Sequence, residues 1–521
     1  MIAVVVAVLL LCGAGVASAQ TAVPTVTGPV PVTATSYPFL AANKLAEPMD
    51  LAKLGYVEEE FFVSGTANVY DWAPGGALSV LRPNAPYTNR ILVRRPADPA
   101  RFSGTVIVEM MHSPRGLDFP LMWGWTHEYI IEHGDAWVGY TMEPDAVKAL
   151  KKFNPARYAP LSWANPAAAE TCPAGGRGNA APVASDSEEG LLWDITSQLG
   201  ALLKSTAASR PLAGLKVQYL YLTTQDAAHL TYINAIQPVA KLASGKPVYD
   251  GHLTKSGRRA ARIRRCAAAP GNGDQRHVIK NAGVPVINVL QEGDVLGGLR
   301  ERRPDSDERG DEFRLYEVAG TAHSGVPPYR WSTATLADHA AAGGEVATRS
   351  LSAAIAPYSL AVPLRDPERC RVSELVSEQP IVTFTFHSAF ANLDEWVRKG
   401  TPAPRGPRIE VTGEGAQARI AKDRFGNALG GVRTPYVDVP AATYHSGHGP
   451  GPGCGQNFGY TEPFHWARLD ALYGNYKAYA SRMTQAVDRA VKERWLTASD
   501  GRKIKAELAA PLALPPSAGS Q

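Results

Sequence analysis

The chain has 521 residues, long enough for one large or several ordinary domains, with 45% hydrophobic and 20% charged residues. That balance excludes a disordered, collagenous or coiled-coil protein. Fifty-three basic against forty-nine acidic side chains leave a formal charge of +4, too small for the electrostatic footprint of a nucleic-acid binder.

In chain order, Ile2 to Leu11 is almost wholly apolar and leads to Ala17-Ser18-Ala19, a small-x-small cleavage pattern before Gln20. Residues 1–19 are therefore expected to be a signal peptide, and 20–521 one exported domain, periplasmic or secreted. Leu11 is bulky where a lipidated Cys12 would need a small neighbour. No later stretch is apolar without interruption for the length of a bilayer crossing, so no membrane span is expected. The mature chain keeps Cys172, Cys266, Cys370 and Cys454, an even count that suggests two disulfides without choosing their pairing.

Short β-rich runs from Tyr56 to Tyr70 and from Arg90 to Arg95 predict hairpins in an N-terminal extension, about 50–98. Then Thr105–Met111, Ala136–Thr141, Val217–Leu222, Val284–Leu290 and Phe313–Val318 read as buried strands. Helical patterns at Trp123–Glu132, Gly190–Lys204 and Ala227–Leu242 separate several of them. Alternation of this kind predicts an α/β fold, a mostly parallel central sheet with helices on both faces. Its active site would lie beyond the carboxyl ends of the strands. Stretches of about 142–188, 245–280 and 400–462 read as lid-like insertions, with Arg258 to Arg265 as a solvated face or an anion-attracting lid. A helix is expected at His387–Lys399 and a long closing helix from Trp466 to Trp495.

Several chemistries are excluded by missing residues. Gly245-Lys246 is followed by Pro247, so no phosphate-binding loop forms; His127-Glu128 lacks a second histidine at zincin spacing; no Ser-x-x-Lys occurs. His445 and His448 lie in a Gly/Pro loop without an obvious third ligand and read as a solvated pair. No organic cofactor or metal is expected.

The informative constellation is a strand, turn and helix at Val217 to Leu242 followed by two strand ends that carry an acid and a histidine. Asp294 follows the strand ending at Leu290, and His323 sits in Gly320-Thr-Ala-His323 after the strand ending at Val318. An imidazole there can overlook the sheet's carboxyl edge as a general base, oriented by a carboxylate. The order of nucleophile turn, acid and histidine is the one used by α/β-hydrolases. Glu292 and Asp305 are rival acids; Asp305 also reads as a surface ion pair with nearby arginines. His229 reads as a packing residue.

The chain also resembles a family of bacterial α/β-hydrolase-domain proteins, many with signal peptides. The likeness rests on Gly55-Tyr-Val-Glu-Glu-Glu-Phe-Phe-Val-Ser-Gly-Thr66, Leu92-Val-Arg-Arg-Pro-Ala97, Trp193-Asp-Ile-Thr-Ser-Gln198, Tyr232-Ile-Asn-Ala-Ile236, Arg314 to His323 and Gly426 to Pro440. The resemblance implies an α/β-hydrolase fold and a carboxylic ester hydrolase. Where it implies a nucleophilic serine, this chain reads Leu222-Thr223-Thr224-Gln225-Asp226-Ala227, which makes Thr224 the candidate nucleophile. An ungapped count from Tyr232 selects Thr223. An elbow residue usually takes positive φ, which a β-branched threonine tolerates poorly, and the Asp226 carboxylate would oppose a developing oxyanion. Backbone N–H groups of Gln225 and of Met111 or His112 are the candidate oxyanion hole. Two readings follow: an esterase acting on a small-molecule ester through Thr224, Asp294 and His323, or an inactive descendant that binds an ester-like or acyl ligand.

Overall fold

The computed structural model describes residues 20–113, 116–172, 184–323, 331–344, 381–447 and 459–509. The expected signal peptide, His448, Cys370 and Cys454 lie outside them. The central sheet has the order β1-β2-β3-β5-β4-β7-β8-β9-β10, with β6 attached to β3. Its strands are β1 (Thr25–Thr27), β2 (Tyr56–Trp72), β3 (Leu78–Pro96), β4 (Thr105–Met111), β5 (Ala136–Thr141), β6 (Ser162–Trp163), β7 (Tyr219–Thr224), β8 (Gly251–Lys255), β9 (Val286–Gln291) and β10 (Phe313–Val318). From β5 through β10 every neighbouring pair along this path is parallel. β4, β5, β9 and β10 are buried along their whole length, as strands covered on both faces must be.

Helices α1 (Leu121–His133), α2 (Leu192–Lys204), α3 (Ala227–Thr231) and α4 (Ile381–Lys399) cover the sheet. Strand alternation decides which face each one takes. On β8, Gly251 lies against Leu393 and Val397 of α4, whereas His252 next to it meets His229 of α3. The Glu109 side chain of β4 accepts from the Met122 and Trp123 N–H groups at the start of α1 and from Trp137 Nε1. Burial pushes that carboxyl up to about 7, against these three donors and the nearby Arg94.

Several sequence expectations change. The hairpin expected as an extension is a pair of long strands built into the sheet, with β3 against β5. The stretch read as an insertion at 245–280 contains β8, a central strand whose polar residues are all buried. The single closing helix is broken: Trp466–Tyr473 ends at Gly474, which has φ 76°, and α5 (Tyr476–Lys492) restarts with Asn475 as its cap. A further helix, α6 (Ala498–Ala509), follows. Cys172 and Cys266 form a disulfide. Among the described residues no helix is long and apolar enough to cross a membrane, and no group of three or more potential ligands could hold a metal ion.

Candidate active site

The carboxyl ends of β9 and β10 bring Asp294 and His323 together: His323 Nδ1 lies 2.8 Å from Asp294 Oδ1. With Nδ1 facing a carboxylate it carries the proton, which leaves Nε2 as the acceptor. Burial pulls the His323 pKa below its ordinary value; the Lys255 charge adds to that and Asp294 opposes it. Burial alone would raise the Asp294 carboxyl. The hydrogen bond and charge of His323, with Lys255 and Arg258, instead hold it well below the usual carboxylate range. The pair is therefore a neutral imidazole on an ionised acid, the state in which a general base would have to rest.

The group on His323 Nε2 is Gln225, whose Nε2 lies 3.2 Å away. An acceptor nitrogen calls for the amide N–H, so Gln225 Oε1 is left over. It is buried and has no partner among the described residues. Thr224 is not on the imidazole: its hydroxyl donates to Met110 O at 2.7 Å and its side chain is sealed from solvent. Thr223 likewise donates to Leu253 O. The reason is local geometry. β7 runs straight through Thr224, Asp226 caps α3 in extended conformation, and no residue from Leu222 to Ala227 is among those with positive φ. Without that turn, the threonine stays in the strand and points into the sheet's packing.

Asp226 is restrained. Its Oδ1 accepts from Ala228 N at the start of α3, and its Oδ2 lies 3.0 Å from His112 Nδ1. The carboxylate expected to oppose an oxyanion is thus turned toward these partners and ties the loop after β4 to the end of β7. Met111 ends β4 beside Thr141 of β5, so Met111, His112 and Gln225 flank one edge.

The rival acids are elsewhere. Asp305 pairs with Arg408 at 2.6 Å and accepts from Leu315 N. Glu292, fully buried, accepts from Gly320 N and Ser446 Oγ and pairs with Lys422; it braces the loop that carries His323 and does not touch the imidazole. His229 packs against His252 inside the fold, and His445 lies against Glu462. Three of the arginines from Arg258 to Arg265 are ion-paired rather than merely solvated: Arg258 with Asp294, Arg262 with Glu189 and Arg264 with Asp71.

Sequence reasoning missed the end of β8. Ser256 Oγ donates to Asp294 Oδ2 at 2.6 Å, and Lys255 Nζ donates to His323 O at 2.7 Å. The Lys-Ser-Gly257 turn was the available signal, obscured by the polar alternation of β8.

Solved structures with a similar course include the esterase Est22 (9% identity, 57% of this chain and 83% of that one, TM-score 0.28). Others are a putative dienelactone hydrolase from Klebsiella pneumoniae (10%, 57% and 99%, TM-score 0.26) and a glucuronoyl esterase from Solibacter usitatus (11%, 53% and 86%, TM-score 0.24). No substrate follows from likenesses of this size. No curated protein matches the chain in sequence. The family described as "Alpha/beta hydrolase domain" matches residues 26–506, nearly the whole described chain, and the chain belongs to that α/β-hydrolase family.

Proposed function

We propose that the protein is an exported hydrolase of carboxylic esters in which His323, oriented by Asp294, activates a water molecule and Gln225 orients that water. The observation that carries this reading is the partner of His323 Nε2: an amide, with both nearby threonine hydroxyls committed to backbone carbonyls. When the Gln225 N–H yields to water, one water O–H donates to His323 Nε2 and the other to Gln225 Oε1, an acceptor without a partner among the described residues. The water oxygen then bonds to the ester carbon as its proton passes to His323. Collapse of the tetrahedral adduct breaks the bond to the alcohol oxygen, which takes that proton. Backbone N–H groups of Met111 or His112 and of Gln225 are the candidate oxyanion donors. An ester suits a lone imidazole base because an alkoxide leaves more readily than an amine anion. Export is supported by the apolar start of the sequence and the Cys172–Cys266 bond.

The test is hydrolysis of p-nitrophenyl acetate by Thr224→Val and His323→Ala. Thr224→Val is expected to keep kcat within about threefold, whereas His323→Ala should lose about 10²- to 10⁴-fold, the usual share of a general base. Collapse of activity in Thr224→Val would make Thr224 the nucleophile instead. The cap of Gln225 on the base also favours a second reading, a binding protein for an acyl ligand. Background turnover by the wild type, together with saturable binding of a carboxylate product, would select it.

A further inference from the structure

At the end of β8 stand two residues that the hydrolytic step does not use directly. Lys255 is completely buried, which pulls its pKa down to about 7 while the Asp294 charge opposes the shift; in its charged form all three of its donors have acceptors. One goes to His323 O at 2.7 Å and one to Ser256 Oγ at 3.3 Å. The third goes to Gln291 Oε1 at 3.2 Å, once the Gln291 amide is oriented so that its nitrogen faces Asp294 Oδ2 and Ser256 Oγ. That orientation is required because the Ser256 hydroxyl has one hydrogen and the Asp294 carboxylate takes it. The ammonium also lies 4.7 Å from the centre of the Trp125 ring, a cation–π contact.

Ser256 has φ 55°, a left-handed conformation that costs a non-glycine residue energy. Glycine is used at 257, where a Cβ would come within 2.7 Å of Leu230. At 256 a side chain is kept in spite of its backbone, and its hydroxyl is the part that works. Together these contacts fill Asp294: Oδ1 takes His323 and Arg258, while Oδ2 takes Ser256 and Gln291. A carboxylate with all its acceptor directions occupied cannot turn, and it therefore offers His323 Nδ1 a single direction.

We propose that Lys255 and Ser256 are positioning residues of the hydrolytic site, with Lys255 gripping the main chain of His323 and Ser256 gripping the carboxylate of Asp294. The catalytic arm of this proposal rests on the reading of His323 as general base; the geometric arm does not. Strained backbone held by over-determined contacts at a site edge is the expected signature of such a grip.

The experiment compares Ser256→Gly, Ser256→Ala and Lys255→Met with the wild type by p-nitrophenyl acetate kinetics, thermal melting and ¹⁵N NMR titration of His323. Glycine relieves the left-handed strain, so Ser256→Gly should melt at or above Ser256→Ala. Both should nevertheless lose about tenfold or more in kcat with KM changed less than about threefold, and both should shift the His323 titration midpoint by about half a unit or more. Lys255→Met should move that midpoint upward, because a buried positive charge beside the imidazole is gone; if it fails to fold, the Ser256 pair decides. Should the wild type prove inactive, the ester reading fails, and the NMR titration and Nδ1–H signal of His323 still test the grip. Activity within twofold of wild type in both Ser256 variants overturns the proposal, as does an unchanged His323 titration or a loss of kcat that merely follows melting temperature.

Discussion

Asp294→Asn is the most direct perturbation of the site, because it removes charge while keeping shape. The imidazolium formed in the step would lose a carboxylate now 2.8 Å from its nitrogen. With charge centres about 4 Å apart and an effective dielectric near 20, that attraction is worth about 4 kcal/mol, or roughly a thousandfold in rate. Asparagine also has to point its amide nitrogen at some of the donors that now meet the carboxylate, Ser256, Arg258 and the reoriented Gln291. Leaving such donors unmatched should cost about 2 to 4 kcal/mol of stability. Since the Asp294 charge raises the His323 pKa, its removal lowers that pKa further. The acid limb of the rate profile should then move to lower pH, and raising the pH should not restore activity. The assay is kcat/KM for p-nitrophenyl acetate between pH 5 and 9, run well below the melting point of the variant. His323→Ala combined with Asp294→Asn should be no slower than His323→Ala alone, because the two residues act as a unit. A variant that keeps more than about a tenth of wild-type kcat/KM would refute the dyad.

Acid should weaken the fold in a defined window. Burial drives the His252 pKa down to about 3 and that of His127 to about 4, and burial with the His252 charge lowers His229. Below about pH 6.5 the unfolded chain takes up protons that these folded imidazoles refuse, so stability falls by about 1.4 kcal/mol per pH unit for each. His252 alone should cost about 2 kcal/mol at pH 5, and equal urea midpoints at pH 7 and pH 5 would contradict this. The Cys172–Cys266 bond joins residues 94 positions apart, for which chain entropy gives about 4 to 5 kcal/mol as an upper figure. Because the Arg264–Asp71 and Arg262–Glu189 pairs hold the same segment, reduction should lower the melting temperature by about 5 °C without abolishing esterase activity; a melting curve unchanged by dithiothreitol would refute the assignment.

The strands read most clearly from sequence are those whose residues are uniformly buried and mostly apolar, such as β4 and β10. β8 was hidden because its burial is achieved by pairing: His252 leans on His229 and Lys255 on His323 O, neither visible as a local pattern. The helix expected to reach Leu242 gives way to a wider turn at Tyr232–Ile236 and ends before Pro238, a proline that cannot supply a helical N–H. Asp294 and His323 were legible as polar residues directly after strand ends. Ser256 was not, because a left-handed serine carries no mark in sequence, and of Gln225 only the backbone N–H was expected to matter; its side chain gains its meaning only when the strand keeps Thr224 inside the sheet.

That last feature explains the layout of the site. Strands β4, β7, β8, β9 and β10 are consecutive neighbours in the sheet, about 4.8 Å apart, so side chains at their carboxyl ends can meet directly. His112 joins the β4 end to the β7 end through Asp226, Ser256 joins β8 to β9 through Asp294, and Asp294 joins β9 to β10 through His323. Gln225 then reaches from β7 to the imidazole itself. The backbone strain expected at the end of β7 is found one strand further along, at Ser256. A buried ammonium, a buried carboxylate and a strained serine all work against stability unless they hold something in place, and each of them ends on the His323–Asp294 pair. The edge therefore holds one imidazole nitrogen against Gln225. On the proposed reading, that fixed aim is what proton transfer from a bound water to His323 requires.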